Sequence, residues 1–292
     1  MPTYREAMTQ PRPSETRHAT ADDGTRLAYR VVGEGPPDVL WSFSQLSDVE
    51  TIWEHRPIAD FLLGLAASAR VIVHDRRGMG RSSGSRGDLD TDVADLLRLL
   101  DAVGADRPFL FGAVIGGAIY AAFAARYPDR VAGLAWHGAF ARSVAGPDYP
   151  WAPTPDEAAS YARQLAEGWG SEPFAAAFVA GGAPSRAGDA ETIAFFARWM
   201  RRTSDVATAD AYNRAWDLAD LHELLPGVRV PTLITVRGDG PGEARHVAAL
   251  VPGARVAVFE GDDFMPFYDA GPIIAALRAF MADPGAVPPP PG

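Results

Sequence analysis

Hydrophobic positions in the first half of this chain switch repeatedly between a strand rhythm and a helix rhythm. Thr25 to Val32 alternates apolar and polar residues and predicts a strand, with Asp23-Gly24 as the turn before it. Asp38 to Phe43 is a second apolar strand. From Ile52 to Ala67 the spacing becomes helical through Trp53, Ile58, Phe61, Leu62 and Leu65. Val71 to Val73, running into His74-Asp75, has the continuous apolar character of a strand covered on both faces. A glycine-punctuated loop, Arg76 to Ser83, follows. Asp90 to Val103 is amphipathic, with Val93, Leu96, Leu97, Leu99 and Leu100 set against Asp92, Asp95, Arg98 and Asp101. Phe109 to Phe111 reads as a buried strand, Gly112 to Gly117 as a tight turn, and a small-residue helix runs on to Arg126. Val131 to Trp136 is the next strand. This alternation implies an α/β fold with a mostly parallel sheet wrapped by helices.

The alternation stops near Ala139. From Arg142 to about Leu225 the pattern is helical and rich in aromatics, among them Tyr149, Trp151, Tyr161, Trp169, Trp199, Tyr212 and Trp216. Strand and helix then resume: Val230 to Val236 and Arg255 to Phe259 as strands, Glu243 to Leu250 and Ile273 to Met281 as helices. The implied organisation is a polar, flexible arm (1–19), a core built from 20–140 and 226–282, a helical cap (141–225) and a proline-rich tail (283–292). There are no internal repeats.

Composition narrows the function classes. The 292 residues carry a net charge of −10, and all 27 basic residues are arginine. An acidic balance excludes nonspecific nucleic-acid binding, which needs basic surface to neutralise phosphates. The absence of cysteine excludes thiol catalysis, disulfides and thiolate metal sites. The N-terminal stretch has no apolar h-region. Pro108 to Ala125 is uncharged, but its paired glycines favour a buried turn over a membrane span. A cytoplasmic protein without a membrane partner is expected, and a homodimer is left open. No histidine pair has the i,i+4 spacing of a helical metal site, so neither metal nor cofactor is expected.

The ordered set of motifs resembles α/β-hydrolases over nearly the whole chain. Gly112-Ala113-Val114-Ile115-Gly116 is similar to the G-x-S-x-G nucleophile elbow, in which a strand, a sharp turn and a helix lift one side chain above the sheet. Asp75-Arg76-Arg77-Gly78-Met79-Gly80-Arg81-Ser82 resembles that fold's D-x-R-G-x-G-x-S loop. Arg126 to Val131 resembles the segment after the elbow helix. Ala141-Arg142 with Pro147 to Trp151 resembles the start of the cap in a bacterial subgroup associated with signalling domains. Pro231 to Ile234 and Val251 to Ala254 resemble the surroundings of the last two core strands. The resemblance implies an α/β-hydrolase fold with an inserted helical cap. It also implies a serine at position 114 and a histidine at position 264, and this chain has Val114 and Phe264 there. Asp239 is the nearest candidate for the family's acid, in a shortened loop. Because serine needs a base, a chain lacking both has no route to an acyl-enzyme. Valine suits the positive φ of an elbow poorly. The expectation is therefore a relaxed elbow or an unusually well packed Val114.

Ligands of open α/β sheets bind beyond the carboxyl ends of the strands. Ser44, Gln45, Val114, Ile115, His137, Asp239 and Asp263 fall there. The Ile115 backbone N–H, with a second donor near Ser44 or Gln45, could stabilise an oxyanion without a covalent step. His137 is either a relocated general acid/base or a histidine hydrogen-bonded to loop backbone. Asp263 and Asp239 are each either a pocket base or a turn former. Asp75 is expected to hold its turn with Arg76 and Arg77, and Gly78 with Gly80 hints weakly at a phosphate cradle. His74 reads as structural. His18, His55, His222 and His246 read as surface or helix-face residues. Phe43, Trp53, Trp136, Tyr212, Trp216 and Phe267 suggest a pocket for a large, flat, apolar ligand. Two functions from different classes fit. One is a non-hydrolytic enzyme that cyclises, isomerises, adds to or joins carbon centres of an aromatic, polyketide-like intermediate. The other is a ligand-binding pseudo-hydrolase acting as receptor, carrier or regulator. A hydrolase using directly activated water is a third and weaker reading.

Overall fold

Strands that are apolar on both faces take the centre of an eight-stranded sheet, and half-polar strands take one edge. The computed structural model describes residues 12–238 and 241–285. In chain order the core elements are β1 (Arg17–Thr20), β2 (Arg26–Val32), β3 (Asp38–Ser42), α1 (Arg56–Ala66), β4 (Arg70–His74), α2 (Leu89–Val103), β5 (Phe109–Ala113), α3 (Ile115–Arg126) and β6 (Gly133–His137). Four helices are then inserted: α4 (Pro155–Gly168), α5 (Glu172–Gly182), α6 (Ala190–Thr203) and α7 (Val206–Asp217). The core resumes with β7 (Thr232–Arg237), α8 (Pro241–Leu250), β8 (Arg255–Phe259) and α9 (Gly271–Ala282).

The sheet order is β1-β2-β4-β3-β5-β6-β7-β8. The pairs β1–β2 and β2–β4 are antiparallel and the rest are parallel. β5 and β6 are buried at every position, as strands with helices on both faces must be. One core cluster lies on the α1 and α9 side, and the other joins α2, α3 and α8 to the opposite face. Among the described residues no helix is long and apolar enough to cross a membrane.

The expected arm ends earlier than the sequence suggested. Arg17–Thr20 is a strand, with His18 opposite Ala28 and Ala19 opposite Leu27. An edge strand needs backbone partners and little apolar surface, and here only Ala19 is buried. Four such residues carry too short a pattern to read. Residues 1–11 and the tail from 286 lie outside the described residues.

Each inserted helix begins on a side-chain cap: Thr154 in a capping box with Glu157, then Ser171, Asp189 and Asp205. The insertion is docked on the core by specific contacts. Trp199 on α6 donates its indole N–H to the Ser47 carbonyl at 2.9 Å. Tyr212 on α7 lies between two guanidinium groups of the β4–α2 connection, Arg76 at 5.1 Å and Arg86 at 5.0 Å from the ring centroid. Buried cation–π contacts of this kind contribute on the order of 1–2 kcal/mol. Tyr212→Leu keeps most of the volume but not the π-face. It should therefore cost about 1–2 kcal/mol and speed protease cleavage within the cap. Tyr212→Phe should behave like wild type in the same limited-proteolysis assay. Equal protection of all three proteins would show that the arginines do not hold the cap.

Candidate active site

The sharpest local feature at the carboxyl end of the sheet is the strand-to-helix turn at Val114. Its φ is 50° and ψ −116°, a region that L-residues, and β-branched ones above all, adopt only when surrounding structure imposes it. Neither expected outcome holds, since the turn has not relaxed and Val114 is only half buried. Hydrogen bonds hold it instead. The Val114 N–H donates to the His137 carbonyl at 2.8 Å, and the Trp136 indole N–H donates to the Val114 carbonyl at 2.8 Å. The turn thus keeps the geometry that lifts a side chain above the sheet, and the side chain it lifts is a hydrocarbon. No side chain caps the N-terminus of α3, where Ile115 is the first residue.

In the loop after β3 the side chains of the two expected donors are bonded to each other and to the cap. Ser44 is buried and donates its hydroxyl to Gln45 Oε1 at 2.5 Å, and Gln45 Nε2 donates to the Tyr161 hydroxyl at 2.9 Å. Arg76 reaches under the loop and donates to Ser42 Oγ and to the Phe43 and Ser44 carbonyls, at 3.0, 3.3 and 2.8 Å. Arg77 instead pairs with Asp95 at 2.7 Å and with Asp23. Both guanidinium groups are thus engaged elsewhere, and Arg76 holds the turn only through its backbone carbonyl, which accepts from the Met79 N–H at 3.0 Å. Asp75 accepts from Ser47 Oγ at 2.7 Å, the Asp48 N–H at 2.7 Å and the Arg81 N–H at 2.8 Å. A Cβ on Gly80 would stand 2.5 Å from Asp75 Cγ. The glycine loop is therefore filled by a carboxylate and cradles no phosphate.

His137 takes the backbone-bonded alternative. It is fully buried, with Nε2 2.6 Å from the Phe264 carbonyl and Nδ1 3.0 Å from Thr235 Oγ1. A carbonyl can only accept, so Nε2 carries the proton and Nδ1 accepts from the threonine. Burial, against the pull of that carbonyl, lowers its pKa to about 4. No ring nitrogen is left for a ligand. Asp263 is likewise committed, accepting from the Ser185 N–H at 2.9 Å and Ser185 Oγ at 2.5 Å. It ties the last core loop to the cap. Asp239 lies outside the described residues.

His55 lies deeper than its sequence position suggested, and His74 is structural, as read. His55 is buried, stacked on Phe195 at 4.3 Å and bonded to the Tyr268 hydroxyl at 2.8 Å; burial lowers its pKa to about 4. His74 meets the Tyr120 hydroxyl at 2.9 Å, and burial lowers its pKa to about 3. His222 and His246 face each other, with Nε2 to Nε2 at 3.0 Å.

An open cleft of about 330 Å³ sits above the turn. Val114, Ile115 and Phe264 line it, joined by Phe140 and Trp216. Of the six aromatics expected in a pocket, Trp216 alone lines this cleft. Phe43 and Phe267 pack on each other at 5.4 Å within the core, Trp136 supports the turn, Tyr212 is held between arginines, and Trp53 packs against the α1-side core. The cleft's polar wall was not foreseen. It includes Arg142, Asn213, Asp217, Arg237 and Glu243. Glu243 stands in the first turn of α8, directly after the shortened β7 loop, and accepts from the Tyr149 hydroxyl at 2.5 Å. Tyr149 in turn accepts from the Ala141 N–H at 2.9 Å. Burial raises the pKa of Glu243, and the tyrosine hydrogen bond works in the opposite sense. Asp217 is raised by burial as well. The only sequence signal for Glu243 was its place after a strand that ends at the ligand side of the sheet.

Comparison with known proteins agrees with this geometry. The structure is similar to the enol-lactonase of Burkholderia xenovorans LB400, with TM-score 0.74 and 25% identity over 91% of this chain and all of that one. It superposes also on the bromoperoxidase of Bacillus anthracis, with TM-score 0.77 and 24% identity over 92% of this chain and all of the other. Among curated relatives, the non-heme chloroperoxidase of Streptomyces lividans is 36% identical over 118 residues, or 39% of this chain and 41% of that protein. The chain thus aligns with less than half the length of the curated relatives it matches. The profile described as alpha/beta hydrolase fold matches residues 51–270, most of the chain. An eight-stranded sheet, a strained turn between β5 and α3, a helical insertion after β6 and that match together make this chain a member of the α/β-hydrolase fold family.

Proposed function

We propose that this family member is a non-hydrolytic, cofactor-independent enzyme that binds an apolar or aromatic small molecule in the cleft above Val114. It would promote isomerisation, cyclisation, addition or C–C bond formation without an acyl-enzyme. The observation that carries this reading is Val114 itself. The turn retains φ 50° while presenting a side chain with no lone pair, and Phe264 lines the same cleft where a base would be needed. A volume of about 330 Å³ is at the small end of the usual range for ligand sites, about 300–1,000 Å³. It suits one or two fused rings better than an extended polyketide. The Ile115 N–H at the start of α3 could receive a developing negative charge on the ligand. The partner in this reading is a small molecule, with neither nucleic acid nor membrane involved.

The second reading, a binding protein without chemistry, draws support from His137 and Asp263, two of the three candidate bases read from the sequence, both of which are hydrogen-bonded to other groups of the protein.

Incubation with a fluorophosphonate probe should leave the intact mass unchanged, and p-nitrophenyl esters should turn over at the buffer rate. Stoichiometric labelling would overturn the proposal. Ester turnover without labelling would point to directly activated water. Native mass spectrometry of the purified protein, followed by incubation of any extracted ligand, separates the two readings: a changed ligand mass supports the enzyme, and an unchanged one supports the carrier.

A further inference from the structure

Resting on the enzymatic reading above, we propose that Glu243 is the general base of this cleft: it removes a proton from a carbon acid, positioned by the Tyr149 hydroxyl.

Three observations place it there. Glu243 lines the same cleft as Val114 and Ile115, so a ligand above the turn shares that cleft with the carboxylate. It is half buried and makes no ion pair among the described residues, so no cation holds it away from a ligand. Arg142 is paired with Asp148 and Asp220, and Arg237 with Asp269. Its orientation is fixed from the cap side. The Tyr149 hydroxyl receives the Ala141 N–H, so its own proton must point to Glu243 Oε1. That carboxylate oxygen is thereby an acceptor, and the other is the atom available to a ligand.

The chemistry balances without an added reactant. The C–H bond α to a ligand carbonyl breaks and the proton passes to Glu243. The electron pair moves into the C–C bond and onto the carbonyl oxygen as an enolate, which the Ile115 N–H is placed to receive. Return of the same proton to a different carbon completes an isomerisation, and attack of the enolate carbon on an internal electrophile completes a cyclisation. A carboxylate held in partly apolar surroundings is a stronger base than one in water, which matches the direction in which burial moves Glu243. Other charged groups around it are Arg142, Asp217 and Arg237 on the cleft wall. His222 and His246 lie beyond Tyr149, at ring distances of 5.7 and 5.3 Å.

The test uses 5-nitrobenzisoxazole, a flat bicyclic carbon acid. Removal of its ring C–H proton breaks the N–O bond, forms a nitrile and releases a coloured phenolate, with no other reagent. The whole protein should open it above the buffer rate. Glu243→Gln, which preserves the bond from Tyr149, should lower kcat/KM by roughly 100-fold or more. Glu243→Asp should retain an intermediate rate. Tyr149→Phe removes a bond that favours the ionised form. It should therefore move the midpoint of the pH–kcat/KM profile upward, a shift that a purely structural role would not produce. Equal rates for wild type and Glu243→Gln, whether both high or both at background, overturn the assignment. So does loss of activity in Asp217→Asn with none in Glu243→Gln. Either result leaves the non-hydrolytic reading standing, since that reading falls to fluorophosphonate labelling or to ester turnover, and the benzisoxazole assay measures neither.

Discussion

Gly117→Ala should destabilise this protein by about 2–3 kcal/mol, although alanine is the better helix former by roughly 1 kcal/mol. Gly117 lies in the first turn of α3, where the helix presses against β6. A Cβ there would stand 2.5 Å from Trp136 Cγ, and nearer still to Cδ1 and Nε1. The indole cannot retreat. Trp136 is fully buried, Phe140 packs edge-on against it at 5.8 Å, and its N–H is committed to the Val114 carbonyl. Moving the ring therefore breaks the bond that holds the strained turn, and the turn loses one of its two restraints. Urea unfolding of the variant measures the cost. A double-mutant cycle with Trp136→Ala should show strong coupling, because alanine has none of the three clashing ring atoms and leaves the substitution at 117 far less harmful. A Gly117→Ala protein within 1 kcal/mol of wild type would mean that α3 does not need this close approach.

The same elbow illustrates how much could be read from the sequence. Its glycines, its strand and its position before a small-residue helix were legible because backbone geometry is a local demand: a turn this tight needs residues without side chains at fixed offsets. The order of strands and the inserted helices were legible for a related reason, since periodicity reports burial over short windows. The chemistry around the turn was not. His137 stayed open between two roles because its ring partners, Thr235 and the Phe264 carbonyl, come from 98 and 127 residues away. Asp263 stayed open between pocket base and turn former because Ser185, which binds it, belongs to the cap. Glu243 went unread because Tyr149, 94 residues earlier, fixes it. The aromatics mark a further boundary. Trp136, Phe43, Phe267 and Trp216 all carry the composition of a pocket. Which of them faces a void and which faces the core depends on how helices and loops stack, and no short-range pattern encodes that. Asp75 was legible as a turn anchor but not in its partners. Ser47 and Asp48 reach it from the neighbouring β3 loop, while Arg77 turns away to Asp95.

Asp92→Asn should make the protein more stable at pH 8, and the gain should shrink as the pH falls toward 4. Asp92 is on the inner face of α2, buried, with Oδ2 lacking any hydrogen-bond partner. Next to it is a void of about 10 Å³, room for at most one water. Burial raises its pKa to about 7, against the favourable fields of Arg76 and Arg86; Asp95 and Asp88 push it further upward. In the unfolded chain an aspartate ionises near 4. Between those values the unfolded chain has released its proton and the folded protein still holds one, so stability falls as the pH rises through this window. Above about pH 7 both states are ionised and the loss is complete, at most about 4 kcal/mol for a group this well buried. Asparagine has the same shape and no charge, so it escapes the loss. Asp75, which burial raises to about 6, follows the same sign. His55, His74 and His137, lowered by burial, have the opposite dependence. All four are present in both proteins and cancel in the difference between variant and wild type. Urea unfolding of both at pH 5, 6, 7 and 8 measures that difference directly. A gain that widens by about 2 kcal/mol or more across the series matches a buried carboxylate that ionises at a cost. A flat difference would mean that Arg76 and Arg86 keep Asp92 charged at every pH, and the α2 interface would then be an ion cluster in which aspartate is the stabilising choice.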